Sequence, residues 1–115
     1  MPHRVEGTDE FADWYGGLTV EDQRRIERAV GYLEEFGYLL GRPHADTVNG
    51  SRHPNMKELR PQGSPIRVFF AFDPRRTAIL LLGGEKSGDN KFYARMVPRA
   101  DDLYDQYLIE TADEV

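Results

Sequence analysis

Cationic side chains alternate with apolar ones between Met56 and Gly88, and a tyrosine follows shortly afterwards. The candidate chemical groups of this part of the chain are Lys57, Glu58, Arg60, Arg67, Lys86 and Tyr93. Such side chains can remove a proton, stabilise developing negative charge and return a proton. Cleavage of RNA needs only these tasks, because its 2′-OH is a nucleophile already adjacent to the phosphodiester. These six residues, together with Lys91, are therefore candidates for RNA cleavage; the alternative is that the cations only keep exposed strands soluble and that Tyr93 belongs to the core.

The charges are unevenly distributed along the chain, which carries a formal net charge of −5. Residues 51–99 hold ten Lys and Arg against four Asp and Glu, whereas residues 1–50 hold five against ten. Residues 100–115 hold six acids and no Lys or Arg. Segregated charge creates a local potential that the net charge hides. We expect folding to gather the cations of residues 51–99 onto one cleft that a polyanion can reach.

Several other classes of site have little support. Glu85 precedes Lys86, where a nucleotide-binding P-loop requires glycine. His3, His44 and His53 lack metal-ligand spacing and the chain has no cysteine, so no metal and no cofactor is predicted. No serine lies in a nucleophile-elbow motif. No apolar run is long enough to span a bilayer, and the first twenty residues do not resemble a secretory signal, so we expect a cytoplasmic protein.

The N-terminal half predicts two helices after a short strand at residues 3–6. Thr8 is a candidate N-cap for a helix whose apolar stripe ends before Gly16 and Gly17. Thr19 begins a second, longer helix, and Gly37 or Gly41 ends it. The polar residues 44–52 are predicted to form a loop.

The C-terminal half predicts three strands and a helix. Residues 56–60 and 66–72 are the first two strands, and period-2 alternation turns Arg67 away from the face that carries Ile66 and Val68. Residues 78–82 are apolar on both faces and predict a central strand. Residues 83–88 are interpreted as a glycine turn, which either contacts phosphate or only leads into a last helix capped by Asp89. Pro98 predicts a kink or two abutting helices.

These elements together indicate a single domain over residues 1–115. Its fold class is α+β, with two N-terminal helices and a C-terminal helix packed on a small, mostly antiparallel sheet. The face or rim that the helices leave open is where the cations are expected.

The sequence resembles the RelE/ParE superfamily of toxins from type II toxin–antitoxin systems, in its phage-derived HigB-like branch. The resemblance covers residues 9–108. Its most specific parts are residues 56–60, 67–74, 82–88, 92–93 and 100–105. It implies a RelE-like fold and a metal-independent endoribonuclease, an mRNA interferase that cuts messenger RNA at the ribosome and inhibits translation. It also implies a cognate helix-turn-helix antitoxin as partner, with contact to DNA only through that antitoxin.

Roles carried over from the resemblance are predictions about individual residues. Arg60 and Arg67 would stabilise the phosphorane, Lys57 or Glu58 would transfer a proton, and Tyr93 would stack on a base. Lys86 would complete the catalytic set. The additional RNA-binding residues predicted here are Arg75, Arg76, Lys91 and Arg95.

A non-enzymatic binder on the same fold is the alternative hypothesis. It would be a ParE-like topoisomerase poison or a degenerate toxin that acts through its antitoxin. The acidic terminal segments favour this alternative, and the cations of residues 57–86 favour the nuclease.

Overall fold

A computed structural model describes residues 2–112 of the chain. Within that range lie five strands, three α-helices and one short 3₁₀ helix. In chain order these are β1 (Val5–Gly7), α1 (Asp9–Gly16), α2 (Val20–Phe36), the 3₁₀ helix (Gly37–Leu39), β2 (Ala45–Thr47), β3 (Lys57–Leu59), β4 (Ile66–Phe72), β5 (Ala78–Glu85) and α3 (Phe92–Thr111).

The strands form one sheet in the order β1-β5-β4-β3-β2. Strand β1 pairs with β5 in parallel, and the other three pairings are antiparallel. Strand β5 therefore lies between two neighbours, as its apolar sequence predicted. The predicted α+β class with a mostly antiparallel sheet is confirmed, and so is the weak strand before α1.

Helices α1 and α2 cover one face of the sheet. The hydroxyls of Thr8 and Thr19 accept hydrogen bonds from the backbone N–H groups of Phe11 and Asp22, so both predicted N-caps are confirmed. Gly37 ends α2 with φ of 58°, a conformation that favours glycine. Burial of side chains from α1, α2 and alternate strand positions stabilises this side. Its buried residues include Phe11, Ile26, Leu33, Val68, Phe70 and Leu80.

Helix α3 covers the opposite face and runs through Pro98 as one helix. Its residues Phe92, Met96 and Ala100 pack with Phe69 and Leu81 of the strands. The sheet is consequently covered on both faces, and the cations are left with its rim. The structure describes this helix to Thr111. The terminal position also predicts a loose tail beyond Glu110, and most of that tail, residues 113–115, lies outside the described range.

Two predictions about local structure were wrong. Residues 45–47 form the short edge strand β2 rather than loop. Gly83 and Gly84 belong to β5 rather than to a turn, because helices pack closely on both sides of them. A Cβ on Gly83 would lie 2.2 Å from the ring of Trp14, so the glycine admits a helix side chain to the sheet. The loop starts only at Lys86.

Within residues 2–112 the protein has no helix that is both long enough and apolar enough to cross a bilayer.

Candidate active site

A buried carboxylate, Glu58, lies at the centre of the candidate site. It belongs to β3 and is 3% exposed. The Tyr93 hydroxyl donates a 2.7 Å hydrogen bond to its Oε1, and Arg60 Nη2 donates one of 2.9 Å to its Oε2. A buried charge is tolerated only when it is paired and hydrogen-bonded. Glu58 therefore fixes the positions of two side chains that come from different elements.

Arg67 reaches the same carboxylate from β4. Glu58 pairs in register with Phe69, so Arg67, two residues away, shares its face of the sheet. Arg67 Nη1 donates to the carbonyl of Ile66 at 2.9 Å. Its buried Nε has no hydrogen-bond partner within residues 2–112 and lies 3.8 Å from Glu58 Oε1. That N–H is therefore a buried donor without a hydrogen-bond acceptor in the described part of the chain, held beside the Glu58 carboxylate.

Lys86 and Tyr93 bring the ends of β5 and α3 into the same site. Lys86 Nζ lies 5.2 Å from the centroid of the Tyr93 ring, a cation–π distance. Burial, followed by the hydrogen bond to Glu58, raises the pKa of Tyr93 to about 12. The phenol therefore stays protonated at neutral pH and can act as a proton donor.

We call Glu58, Arg60, Arg67, Lys86 and Tyr93 the Glu58 cluster. The hydrogen bond to Glu58 raises the pKa of Arg60, so its guanidinium remains charged. The arrangement presents fixed cations and a phenol at the rim of the sheet. Its chemistry is the stabilisation of an anion and the donation of a proton.

The structure brings together five of the six predicted catalytic residues and separates the sixth. Lys57 precedes Glu58 in β3, so its side chain leaves the opposite face of the sheet. Lys57 Nζ lies 3.5 Å from the Thr47 hydroxyl. Proton transfer by Lys57 stays a prediction, but it would have to operate from outside the cluster.

The four predicted RNA-binding residues fall at the two ends of the sheet. Lys91 and Arg95 are at the start of α3, where Asp89 Oδ2 accepts from Arg95 at 2.6 Å. Arg75 and Arg76 are in the β4–β5 turn, at the far end of the seven-residue β4. A strand of that length spans roughly 20 Å. The turn arginines are therefore remote from the Glu58 cluster.

The expectation that all cations of residues 51–99 gather on one cleft was too broad. Arg52 pairs with three carboxylates of α3: Asp101 at 4.0 Å, Asp102 at 3.0 Å and Asp105 at 2.5 Å. The acidic C-terminal segment thus neutralises one of the cations, and Arg75 lies at the other end of the sheet. Three cations of residues 51–99 do lie together, because Arg60, Arg67 and Lys86 all belong to the Glu58 cluster.

Sequence reasoning missed Asp46, which is the second carboxylate on Arg60. Asp46 Oδ2 lies 3.5 Å from Arg60 Nη2 and accepts a 2.8 Å hydrogen bond from Arg42 Nε. The register of β2 with β3 places Asp46 opposite Glu58. Recognition of the three-residue edge strand was the signal needed to find it.

No group of three or more potential metal ligands is present in the described part of the chain.

Residues 13–105 match the family of phage-derived Gp49-like proteins. The chain belongs to this family. It is 46% identical over 96 residues to the candidate toxin HigB3 of Mycobacterium tuberculosis, a match that covers 83% of this chain and 84% of that protein. It is 43% identical over 109 residues to the candidate toxin HigB2 of the same organism, covering 91% of this chain and 54% of the longer protein. Membership of the HigB-like toxin class predicted from the sequence is thereby confirmed.

Solved structures show that this Gp49-like chain has the fold of RelE toxins. The archaeal RelE–RelB complex from Pyrococcus horikoshii matches with a TM-score of 0.61 at 14% identity, covering 77% of this chain and all of the other. The isolated Escherichia coli RelE toxin matches with a TM-score of 0.59 at 11% identity, covering 84% and 97%. At such identities the likeness concerns the fold alone, and it confirms the predicted RelE-like architecture.

Proposed function

We propose that this protein is the endoribonuclease of a type II toxin–antitoxin system and that it cleaves messenger RNA during translation. The observation that carries the proposal is the Glu58 cluster, in which three cations and a protonated phenol surround one rim of the sheet. The HigB names of the relatives support the toxin class. The nuclease activity is our inference from the side chains.

In the proposed reaction the 2′-OH of the RNA gives its proton to solvent water and attacks the neighbouring phosphorus, so that a cyclic phosphate forms, the bond to the 5′ oxygen breaks and that oxygen leaves with a proton. Arg67 and Lys86 are suited to stabilise the phosphorane, because no carboxylate accepts a hydrogen bond from either among residues 2–112. Arg60 contributes less, since Glu58 and Asp46 already offset its charge. Tyr93 would protonate the leaving oxygen by turning its single O–H away from Glu58, and Lys86 over its ring competes with the predicted stacking on a base.

We assign Glu58 a positioning role rather than the role of general base. Both of its oxygens accept hydrogen bonds, one from Tyr93 and the other from Arg60, and the residue is buried. At 3% exposure, its remaining lone pair on Oε1 is out of reach of a 2′-OH unless these partners move. Its carboxylate instead holds Tyr93 and Arg60 in productive orientations.

We further propose that a small antitoxin binds this protein and blocks it. Two of the structural neighbours were solved in complexes of this kind: the archaeal RelE–RelB complex and the RelBE2 toxin–antitoxin complex of M. tuberculosis. A helix-turn-helix protein encoded beside the gene is the expected partner, and the ribosome is the expected place of action.

Induction of the gene tests the proposal. Growth should stop, and primer extension should map new 5′ ends inside translated messages, whereas induced Lys86→Ala should produce few such ends. Growth arrest with intact messages and a DNA-damage response would support the topoisomerase poison instead. Normal growth and intact messages would support the degenerate toxin.

A further inference from the structure

Helix α2 and the segments flanking β2 and β3 enclose a second polar site, a pocket of about 90 Å³. We call it the α2 pocket. Every polar side chain in its lining can donate a hydrogen bond, and the lining contains no carboxylate. Its polar and aromatic residues are Arg25, Arg28, Tyr32, His44, Arg60 and Gln62.

Most of these side chains are held in place by contacts outside the pocket. Asp22 and Glu21 accept from the guanidinium of Arg25 at 3.2 and 2.7 Å. Gln62 Nε2 donates to two backbone carbonyls, those of Pro43 and Arg60, so both of its N–H groups are used. Such fixed side chains lose little conformational freedom when a ligand binds, and the donors open to that ligand belong to the guanidinium groups.

Arg28 differs from the other arginines of the pocket. Within residues 2–112 no hydrogen bond or ion pair engages its guanidinium, and the residue is exposed. A guanidinium carries five N–H donors in a planar fork that matches phosphate oxygens. Arg28 is therefore the side chain of the pocket with the most donors free for an added anion.

The ring of Tyr32 adds an aromatic surface at the mouth of the pocket. It stacks on the imidazole of His44 with ring centroids 4.3 Å apart and an interplanar angle of 27°. Tyr32 is 41% exposed, so part of the stacked pair remains open to solvent. A nucleic-acid base stacks readily on such a surface.

Arg60 connects the α2 pocket with the Glu58 cluster, since it lines the pocket and hydrogen-bonds Glu58. We propose that the α2 pocket binds a backbone phosphate of single-stranded RNA, next to the phosphate that is cut. The choice of RNA rests on the proposed function. The volume suits this ligand, since a water in the liquid occupies about 30 Å³ and a phosphate group needs the space of only a few waters.

The test is the affinity for a 2′-O-methyl RNA octamer, which cannot be cleaved, measured by fluorescence anisotropy over a range of salt concentrations. Arg28→Ala should weaken binding about five- to tenfold and reduce the slope of log affinity against log salt by about one. The matched control is Arg99→Ala, which removes an exposed arginine from α3, on the opposite face of the sheet. That control should bind within about twofold of the wild type.

A titration of the wild-type protein with inorganic phosphate gives a second readout. The side-chain amide signals of Gln62 should shift in the NMR spectrum, and Arg28→Ala should weaken that shift. Equal affinities of Arg28→Ala and Arg99→Ala for the octamer would overturn the proposal. So would no measurable octamer binding by the wild type, or an effect of Arg28→Ala confined to cleavage on ribosomes.

Cleavage of messages in cells separates this inference from the proposed function. Intact messages together with Arg28-dependent octamer binding would refute the nuclease and keep the pocket. Cut messages together with equal octamer affinities would refute the pocket and keep the nuclease.

Discussion

Each end of the sheet combines a buried carboxylate, a tyrosine and an arginine, and the two groups serve different purposes. At one end Tyr93 of α3 donates a hydrogen bond of 2.7 Å to buried Glu58. At the other end Tyr107 of α3 donates a hydrogen bond of 2.7 Å to buried Asp73. An arginine completes each group. Because the side chains of the two groups are alike, differences in their contacts indicate the role of each group.

The second carboxylate, Asp73, accepts hydrogen bonds from backbone as well as from side chains. Oδ1 of Asp73 accepts from the N–H groups of Arg75 and Thr77, each at 2.9 Å, and so closes the β4–β5 turn. Glu58, in contrast, accepts from the side chain of Arg60 in addition to the hydroxyl of Tyr93. One carboxylate therefore fixes the course of the chain, and the other fixes groups that can meet a substrate.

The largest expected effect is the loss of cleavage in the variant Arg67→Ala. Loss of the guanidinium that we propose stabilises the phosphorane should reduce the rate about 10²- to 10³-fold, measured by primer extension or with purified protein on translating ribosomes. Arg76→Ala at the opposite end of the sheet is the control and should keep the wild-type rate within about threefold. Equal losses in both variants would show that the two ends do not differ in function.

The tyrosines give a matched pair of substitutions. Tyr93→Phe should slow cleavage about a hundredfold, because a proton donor is removed. Tyr107→Phe should leave the rate per folded molecule unchanged and lower the free energy of unfolding by about 1 kcal/mol, the typical net contribution of one hydrogen bond. Cleavage rates and urea unfolding of both proteins provide the comparison. A normal rate for Tyr93→Phe would remove the phenol from the proposed mechanism.

These contrasts show which features local sequence could predict. Thr8 and Thr19 predict the start of their helices, because the hydroxyl of an N-cap accepts a hydrogen bond from a backbone N–H only three residues away. Glu58 and Tyr93 meet across 35 positions, and only the packing of α3 on the sheet decides that contact. Gly83 was misread for the same reason, since its close neighbour is Trp14 from a distant helix.

The placement of the turn arginines was within reach of sequence reasoning. Arg75 and Arg76 lie between the predicted strands 66–72 and 78–82, whereas Arg67 and Lys86 lie near the open ends of the same antiparallel strands. A hairpin with strands of this length separates the two pairs. The expectation of a single cleft overlooked this geometry, and the RNA-binding roles of Arg75 and Arg76 stay predictions.

Asp73→Ala should affect stability rather than chemistry. It leaves two backbone N–H groups without their acceptor, so the free energy of unfolding at pH 7 should fall by about 3 kcal/mol. The cleavage rate per folded molecule should not change. Urea unfolding curves measure the first quantity and single-turnover cleavage the second.

The pH dependence of this stability difference follows from the pKa of Asp73. Burial raises that pKa, but hydrogen bonds from Tyr107 and from the backbone of Thr77 and Arg75 outweigh burial, and the pKa lies below its usual value. The stabilisation is therefore complete above the unfolded-state pKa of about 3.9 and disappears as pH falls through the folded-state pKa. The gap between wild type and Asp73→Ala should narrow in acid, and a gap that widens would contradict this account.

The smallest effect is expected from Glu58→Gln, which keeps the shape of the side chain and removes its charge. Burial and the interaction with Glu58 together raise the pKa of Tyr93 to about 12, so the variant should lower that pKa while burial remains. NMR titration of the Tyr93 ring measures this pKa. Cleavage should slow only about tenfold, because a positioning residue acts through its neighbours.

Asp46→Asn is the control, since Asp46 contacts Arg60 but not Tyr93, and the Tyr93 titration of this variant should match that of the wild type. A loss of cleavage in Glu58→Gln as large as that in Arg67→Ala, with the Tyr93 titration unchanged, would instead make Glu58 the general base.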